Sequence, residues 1–360
     1  MKRDIITKIM PLKILQNPIL HLLYLYFEKD NNRAIRLFHS IERYGDEDKI
    51  KNPQYLKKLK LDMIYCNYVL GFTYEEYFYF HLENKSLNER KEYVGTFERY
   101  DCWKNLSSKE TQAKFDNKFT AYELFKNYYK RDVIKIENKS DFSTFNEFVK
   151  NHDSYIVKPL AYSLGQGIFT VDVDETDKTV QELFDDILSK GACVVEELVY
   201  QSFDMAVLHP SSVNTVRFAT YYDSSADNVT RLYAMLRMGC GDSQIDNAFC
   251  GGIAAPVDVD SGIVTGKGYR NVNGKEEWFE YQPETRAKII GKQLPDWQNL
   301  LSMLEELARV VPEQKIVGWD LAHTDDGWVM IEGNSRPILK AIQMCTGRGL
   351  RKEFELTKNH

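Results

Sequence analysis

Three oxygen-bearing side chains near the C-terminus, Asp320, Glu332 and Asn334, are spaced so that they can meet. They lie in KIVGWDLAHTDDGWVMIEGN, residues 315–334, where two strand-like runs flank the turn residues Asp325, Asp326 and Gly327. A three-residue loop with Gly327 in the left-handed conformation would pair Thr324 with Trp328. The same register sets Asp320 opposite Glu332 and Gly318 opposite Asn334, and because strand side chains alternate, the three polar groups share one face. Two carboxylates facing each other across a ladder, with attachment points about 5 Å apart, repel unless something neutralises them. A divalent cation does so, and two carboxylates with an amide oxygen suit Mg²⁺ or Mn²⁺ and not zinc. A solvated hairpin bearing ordinary surface acids is the alternative that these residues leave open.

A second chemistry-bearing stretch is YIVKPLAYSLGQG, residues 155–167. A β-type run passes through Lys158 into a loop carrying Ser163, Gly165, Gln166 and Gly167. Backbone N–H groups of such a loop can cradle phosphate oxygens, and the Lys158 ammonium can add a point charge. It is not a Walker A loop; the nearest approach, Gly262 to Lys267, has three residues between its glycines instead of four and reads as a hairpin turn. Downstream, ACVVEELV, residues 192–199, is an apolar strand ending in Glu196 and Glu197, a place where main-chain groups can meet an adenine edge. Arg217 and Arg237 sit in two later strand-like runs and could face solvent or an anionic substrate.

The elements that must position these residues follow from periodicity. To about residue 110 the apolar spacing is helical, as in Leu56, Leu59, Met63, Cys66 and Leu70. One further helix is predicted over about 111–130, with Phe115, Phe119, Tyr122, Phe125 and Tyr129 on one face. Strands are expected at 155–159, 167–173, 192–199, 215–222, 231–238, 316–322 and 328–332, interrupted by helices at 180–188 and from about 296 to Pro312. Many strands with few crossover helices point to an α+β fold rather than a doubly wound parallel sheet. The resulting division is a helical region 1–110, a lobe 111–205 and a lobe 206–360.

At 360 residues the chain is long enough for two or three such units, at about 150 residues each. Its 47 Lys and Arg against 53 Asp and Glu leave a charge of −6, which argues against a general nucleic-acid binder. Six cysteines without a CxxC pair or regular spacing suggest neither a disulfide framework nor a zinc ribbon, so a cytoplasmic protein with reduced thiols is expected. The segment 1–27 is net basic, with Lys2, Arg3, Lys8 and Lys13 against Asp4, and could lie on an anionic membrane surface or dock on the protein's own core.

Taken in order, these segments resemble the ATP-grasp superfamily from about residue 111 onward. The resemblance implies two α+β lobes holding ATP between them, here preceded by an all-helical N-terminal unit in place of the usual α/β pre-domain. Lys118 and Lys158 look like the family's two ATP lysines, Ser163 to Gly167 like the flap over the phosphates, and Glu196 to Val199 like the adenine hinge. Asp204 is the nearest match to a ribose-binding acid, at imperfect spacing. Asp320 with Glu332-Gly-Asn334 matches the metal motif. Arg217, Arg237, Asn247, Gly251 and Gly252 resemble the arginine and Asn-x3-Gly-Gly elements placed at the acyl-phosphate. Asn214-Thr-Val-Arg217 and Val317-Gly-Trp-Asp320 are similar to the sugar-transfer associated branch. What this implies is an ATP- and Mg²⁺-dependent (or Mn²⁺-dependent) carboxylate–amine ligase. Its substrates would be a small carboxylate and an amine, sugar-linked, in polysaccharide biosynthesis. The rivals are a sugar or small-molecule kinase and a non-catalytic nucleotide-binding partner of a glycosyltransferase, recruited through the N-terminal helices.

Overall fold

The computed structural model describes residues 31–160, 167–241, 251–272 and 274–358. The basic segment 1–27 and the predicted site residues Ser163, Gly165, Gln166 and Asn247 lie outside the described residues. Among those described, no helix is long and apolar enough to cross a membrane.

The chain opens with helices at Asn31–Tyr44, Pro53–Tyr68, Tyr74–Tyr79, Leu87–Glu92 and Thr96–Trp103. Local chemistry sets their starts. Asn52 accepts hydrogen bonds from the backbone of Gln54 and Tyr55 ahead of Pro53. Thr73 with Glu76 and Ser86 with Glu89 form reciprocal capping boxes. The single helix predicted over 111–130 is instead two, Lys109–Asp116 and Lys118–Tyr129. Asn117 between them is extended, and its side chain caps the second helix through Phe119 and Thr120. The break places Lys118 at the first turn of a helix rather than in the middle of one.

Four strands, β1 (Val133–Ile136), β2 (Ser154–Pro159), β3 (Phe169–Asp172) and β4 (Cys193–Glu197), form a sheet in the order β1-β4-β2-β3. Helices Phe142–Asn151 and Val180–Ser189 cover one face, packing Phe145, Phe148 and Phe184 on Tyr155, Val157 and Val195. Seven further strands, β5 (Thr215–Asp223), β6 (Asn228–Met238), β7 (Ile253–Val257), β8 (Gly268–Val272), β9 (Lys275–Phe279), β10 (Ile316–Thr324) and β11 (Gly327–Asn334), form a second sheet in the order β11-β10-β5-β6-β7-β8-β9. Every pairing in both sheets is antiparallel.

Strands β1 and β7 to β9 are missing from the expected elements, and so is the helix Phe142–Asn151, although Phe142, Phe145, Phe148 and Val149 recur there at helical spacing. Strand β1 is only four residues long, β7 contains Pro256, and β9 (KEEWF) is a polar edge.

The large sheet is buried on both faces, which is why β5 and β10 read as continuous apolar runs. One face packs Phe218, Leu236 and Leu321 against Phe115 and Phe125 and against Leu300 and Leu304 of the Trp297–Val310 helix. Trp319, fully buried there, donates its indole N–H to Thr220 Oγ1 at 2.9 Å. The other face packs Tyr221, Tyr233 and Met235 against Phe72 and Phe80 of the N-terminal helices and against Leu339, Met344 and Phe354 near the C-terminus. The helical region therefore shares a core with the sheet that carries Arg217 and Asp320.

Candidate functional site

Strands β10 and β11 pair Asp320 with Glu332 and Gly318 with Asn334, as the alternation argument expects, but by a different route. At the tip Thr324 pairs with Gly327 rather than Trp328, so the loop has two residues, Asp325 and Asp326. A bulge then inserts Ile331, because Leu321 pairs with Met330 while Asp320 pairs with Glu332. The extra residue cancels the one-residue difference at the tip. Gly327 is left-handed in either geometry, with φ +89°. Gly318 needs its missing Cβ for another reason: a Cβ there would lie 2.8 Å from Pro337 Cβ and 3.4 Å from Arg217 Cδ.

The neutralising charges beside Asp320 come from the protein itself. Strand β5 sets Arg217 directly opposite Asp320, and Arg237 of β6 falls one residue pair further along on the same face. Arg217 donates to both Asp320 oxygens, through Nε to Oδ1 and through Nη2 to Oδ2 at 2.7 Å, and Arg237 Nη1 donates to Oδ2 at 3.0 Å. Burial works against the Asp320 charge, yet the two guanidiniums hold its carboxyl far below the usual carboxylate range. Burial likewise opposes the Arg217 charge, and Asp320 reverses that and keeps the guanidinium firmly protonated.

Glu332 takes the opposite direction. Its side chain opens to solvent on one side, but crowding by the neighbouring strands, and then the Asp320 negative charge, raise its carboxyl. Asn334 turns its amide nitrogen to Glu332 Oε1 at 3.2 Å and to the Gly318 carbonyl at 3.3 Å, directing its oxygen elsewhere. All three donors are hard oxygens, and one carboxyl is held uneasily beside another. That donor set fits Mg²⁺.

The second half of the site is built on the small sheet. Lys158 on β2 and Glu196 on β4 share a face by register, and Lys158 Nζ donates to Glu196 Oε2 at 2.8 Å. The same carboxylate oxygen accepts from Arg131 Nε at 3.0 Å and Nη2 at 2.8 Å. Glu196 is 3% exposed; burial alone would raise its carboxyl, but Lys158 and Arg131 bring it down to about 2. Arg131 also reaches the other sheet, donating to the Met330 carbonyl at 2.7 Å and the Ile331 carbonyl at 3.4 Å, at the bulge beside Glu332. No local sequence signal marks the cross-sheet role of Arg131, because, Tyr129 apart, its partners are about 65 and 200 residues away.

Lys118 joins this group. Burial lowers its ammonium, Glu332 and Glu196 oppose that shift, and Lys158 reinforces it, so Lys118 feels both carboxylates and the other lysine. The neighbouring Asp116 is tied by Arg336 at 3.0 Å and Ser335 at 3.5 Å, which anchors the Lys118 turn next to Asn334. Lys118 thus feels the Glu332 and Glu196 carboxylates while Lys158 is bound to Glu196, an arrangement of lysines and acids suited to a polyphosphate with its cation.

The remaining predicted residues lie at the edges. Glu196 has ladder partners on both sides, and the Glu197 N–H donates to the Asp132 carbonyl at 2.9 Å, so main chain beyond the ladder begins at Leu198 and Val199. Glu197 turns its carboxylate to the Asp132 N–H at 3.1 Å, away from the lysines. Asp204 is exposed in the first turn of the short helix Phe203–Ala206. Gly167 and Gly251 are left-handed, with φ +72° and +102°, and Gly252 is buried just before β7.

The Glu196 cluster has a pH signature. A carboxylate lowered from 4.5 to about 2 stabilises the fold above the unfolded value and loses that contribution as pH falls through the window between them. The urea midpoint of the wild type is therefore expected to fall between about pH 4.5 and pH 2 more steeply than that of Glu196→Gln. Parallel curves would remove Glu196 as the titrating group.

Comparison with known proteins places the chain in a family. No curated protein matches the sequence. Among solved structures, the chain is similar to D-alanyl-alanine synthetase A from Vibrio cholerae (TM-score 0.44, 11% identity, covering 70% of this chain and 66% of that one). It is also similar to D-alanine–D-alanine ligase from Bacillus anthracis (0.41, 12%, 70% and 68%). A third likeness is to a RiPP-associated ATP-grasp ligase from Chryseobacterium gregarium (0.39, 13%, 70% and 60%). The chain thus spans about two thirds of the length of these solved proteins. The model of the sugar-transfer associated ATP-grasp family matches residues 98–359, from the last N-terminal helix through both sheets. The two α+β sheets with a helical region before them are the ATP-grasp fold, and the chain belongs to the sugar-transfer associated ATP-grasp family.

Proposed function

We propose that this protein is an ATP- and Mg²⁺-dependent carboxylate–amine ligase that proceeds through an acyl-phosphate. The observation that carries the reading is the row Glu332, Asp320, Arg217 across β11, β10 and β5, with Arg237 beside it and Lys118 under the influence of Glu332. Asp320, Glu332 and Asn334 would hold magnesium, which when bound supplies charge neutralisation across the phosphates of ATP. Lys118 and Lys158 bind the remaining phosphate oxygens, and main chain at Leu198 and Val199 holds the adenine edge. Arg217 and Arg237 stabilise negative charge on the acyl-phosphate and on the tetrahedral adduct that the amine forms. The backbone of Gly251 and Gly252 adds donors there. No protein nucleophile is required.

The N-terminal helices belong to the acceptor side in this reading. They pack on the same face of the large sheet as Arg217 and Asp320, and Arg99 Nη1 donates to the Pro337 carbonyl at 3.2 Å, three residues beyond Asn334. The acceptor we favour is a sugar acid or an amino-acid-bearing sugar of a surface polysaccharide, a choice that rests on the family description alone.

Hydroxylamine tests the reaction class. With ATP, Mg²⁺ and a panel of sugar acids, the ligase reading expects a hydroxamate whose formation tracks ADP release. A stable phosphate ester without hydroxamate would make the protein a kinase instead.

A further inference from the structure

We propose that Asp132, His152 and Glu197 form a second divalent-cation site, of nitrogen and oxygen ligands suited to Zn²⁺ or Co²⁺, on the opposite face of the small sheet from Lys158 and Glu196. Strand register puts it there. Val133 pairs with Glu196, so Arg131 and Glu196 point to one face while Asp132 and Glu197 point to the other. That other face is covered by the Phe142–Asn151 helix, and His152 follows its last residue.

The histidine is held in one orientation and one tautomer. Its Nδ1 lies 2.8 Å from the Phe148 carbonyl, which can only accept, so Nδ1 carries a proton. The ring also stacks on Phe148, with centroids 4.2 Å apart and planes at 23°. Its Nε2 is thereby aimed between two carboxylates, 3.5 Å from Asp132 Oδ2 and 3.7 Å from Glu197 Oε2. A neutral imidazole in this position would point its lone pair at two anionic oxygens, so the position calls for a positive charge there, either a proton on Nε2 or a bound cation. The three ligand atoms all fall within 4.8 Å of one another.

The distances suit a metal ion. Bonds of about 2.0–2.1 Å at tetrahedral angles put ligand atoms about 3.4 Å apart, close to both observed separations. An Nδ1–H held by a carbonyl is the usual support behind a metal-ligating imidazole. The carboxylates are 69% and 42% exposed in their side chains, so water can complete the coordination and the oxygens can adjust. One imidazole with two carboxylates favours borderline ions, in contrast to the all-oxygen set at Asp320, Glu332 and Asn334. Such an ion would tie the start of β1, the end of β4 and the covering helix together just before Leu198 and Val199, opposite the Arg131–Glu196 contact.

Cobalt is the probe. Co²⁺ titrated into the full chain without nucleotide, and read by its visible d–d absorption, is expected to show one saturable site displaced by Zn²⁺. His152→Ala and Asp132→Asn should weaken it by more than about tenfold, since even outer-shell losses at metal sites do as much. Glu332→Gln should leave it unchanged. Asp132→Asn removes an exposed charge, so its effect is not a folding defect, and circular dichroism checks both variants. Retention of the cobalt spectrum in His152→Ala, its loss in Glu332→Gln, or no saturable binding would each overturn the site and leave a protonated histidine between two acids.

Discussion

Replacing Asp320 by asparagine is expected to cost the fold about 3–5 kcal/mol and to abolish ATP turnover, whereas Glu332→Gln should abolish turnover without destabilising the protein. The two carboxylates face each other across one ladder, but their surroundings differ. Asp320 is 4% exposed and is the hydrogen-bonded counter-charge of Arg217 and Arg237, so the amide would take the closest anion from two largely buried guanidiniums. Glu332 is crowded beside a like charge that raises its carboxyl, so its neutral isostere relieves a repulsion worth roughly 0.2–1 kcal/mol. Both substitutions remove a magnesium ligand in the proposed reading. A loss of about 10²- to 10³-fold in ADP release is the scale of removing one electrostatic contact to a transition state. Urea unfolding and ADP release on the same two variants check this. Equal stability losses, or wild-type turnover in Glu332→Gln, would contradict the assignment.

The second large effect is expected at Arg131, the side chain that ties the two sheets. Arg131→Met should destabilise the protein by about 3 kcal/mol. Glu196 would keep only Lys158 as counter-charge, and the Met330 carbonyl would lose a charged donor at 2.7 Å. Because Lys158 then becomes the sole partner of Glu196, ATP affinity should fall by about tenfold, roughly 1.4 kcal/mol. Adding Glu196→Gln to Arg131→Met should recover part of the stability, because the uncompensated charge is gone. A double-mutant cycle measures that coupling, which for residues sharing one ion pair runs to about 0.5–3 kcal/mol. Strictly additive effects would show that Arg131 acts through its carbonyl contacts and packing and not through Glu196.

The pairing of Asp320 with Glu332 and of Gly318 with Asn334 was legible in the sequence, because those relations are local. Alternation along β10 and β11 and a short turn between them bring Asp320, Glu332 and Asn334 to one face. Even there the agreement needed a compensation, since the two-residue loop and the Ile331 bulge each shift the register by one, in opposite directions. The strands β5, β6 and β10 were readable because burial on both faces leaves a continuous apolar run. Strand β1 was not, because four residues carry no period.

What neutralises Asp320 depends on long-range register. Arg217 and Arg237 are visible as arginines in strands, but that both converge on one carboxylate follows from β5 lying between β6 and β10, which joins segments about 100 residues apart. Arg131 is the clearest case: nothing within its own segment distinguishes it, and its role arises where the β4 strand of one sheet meets the bulge of the other. The helical region likewise reads as a separate unit, because periodicity reports which face of a helix is apolar and not what that face packs against. By itself the sequence determined the oxygen-bearing residue types on β10 and β11, the strand alternation and the family. Only the tertiary structure decided the pairing of charges and the sharing of cores, because those energies depend on distances between segments remote along the chain.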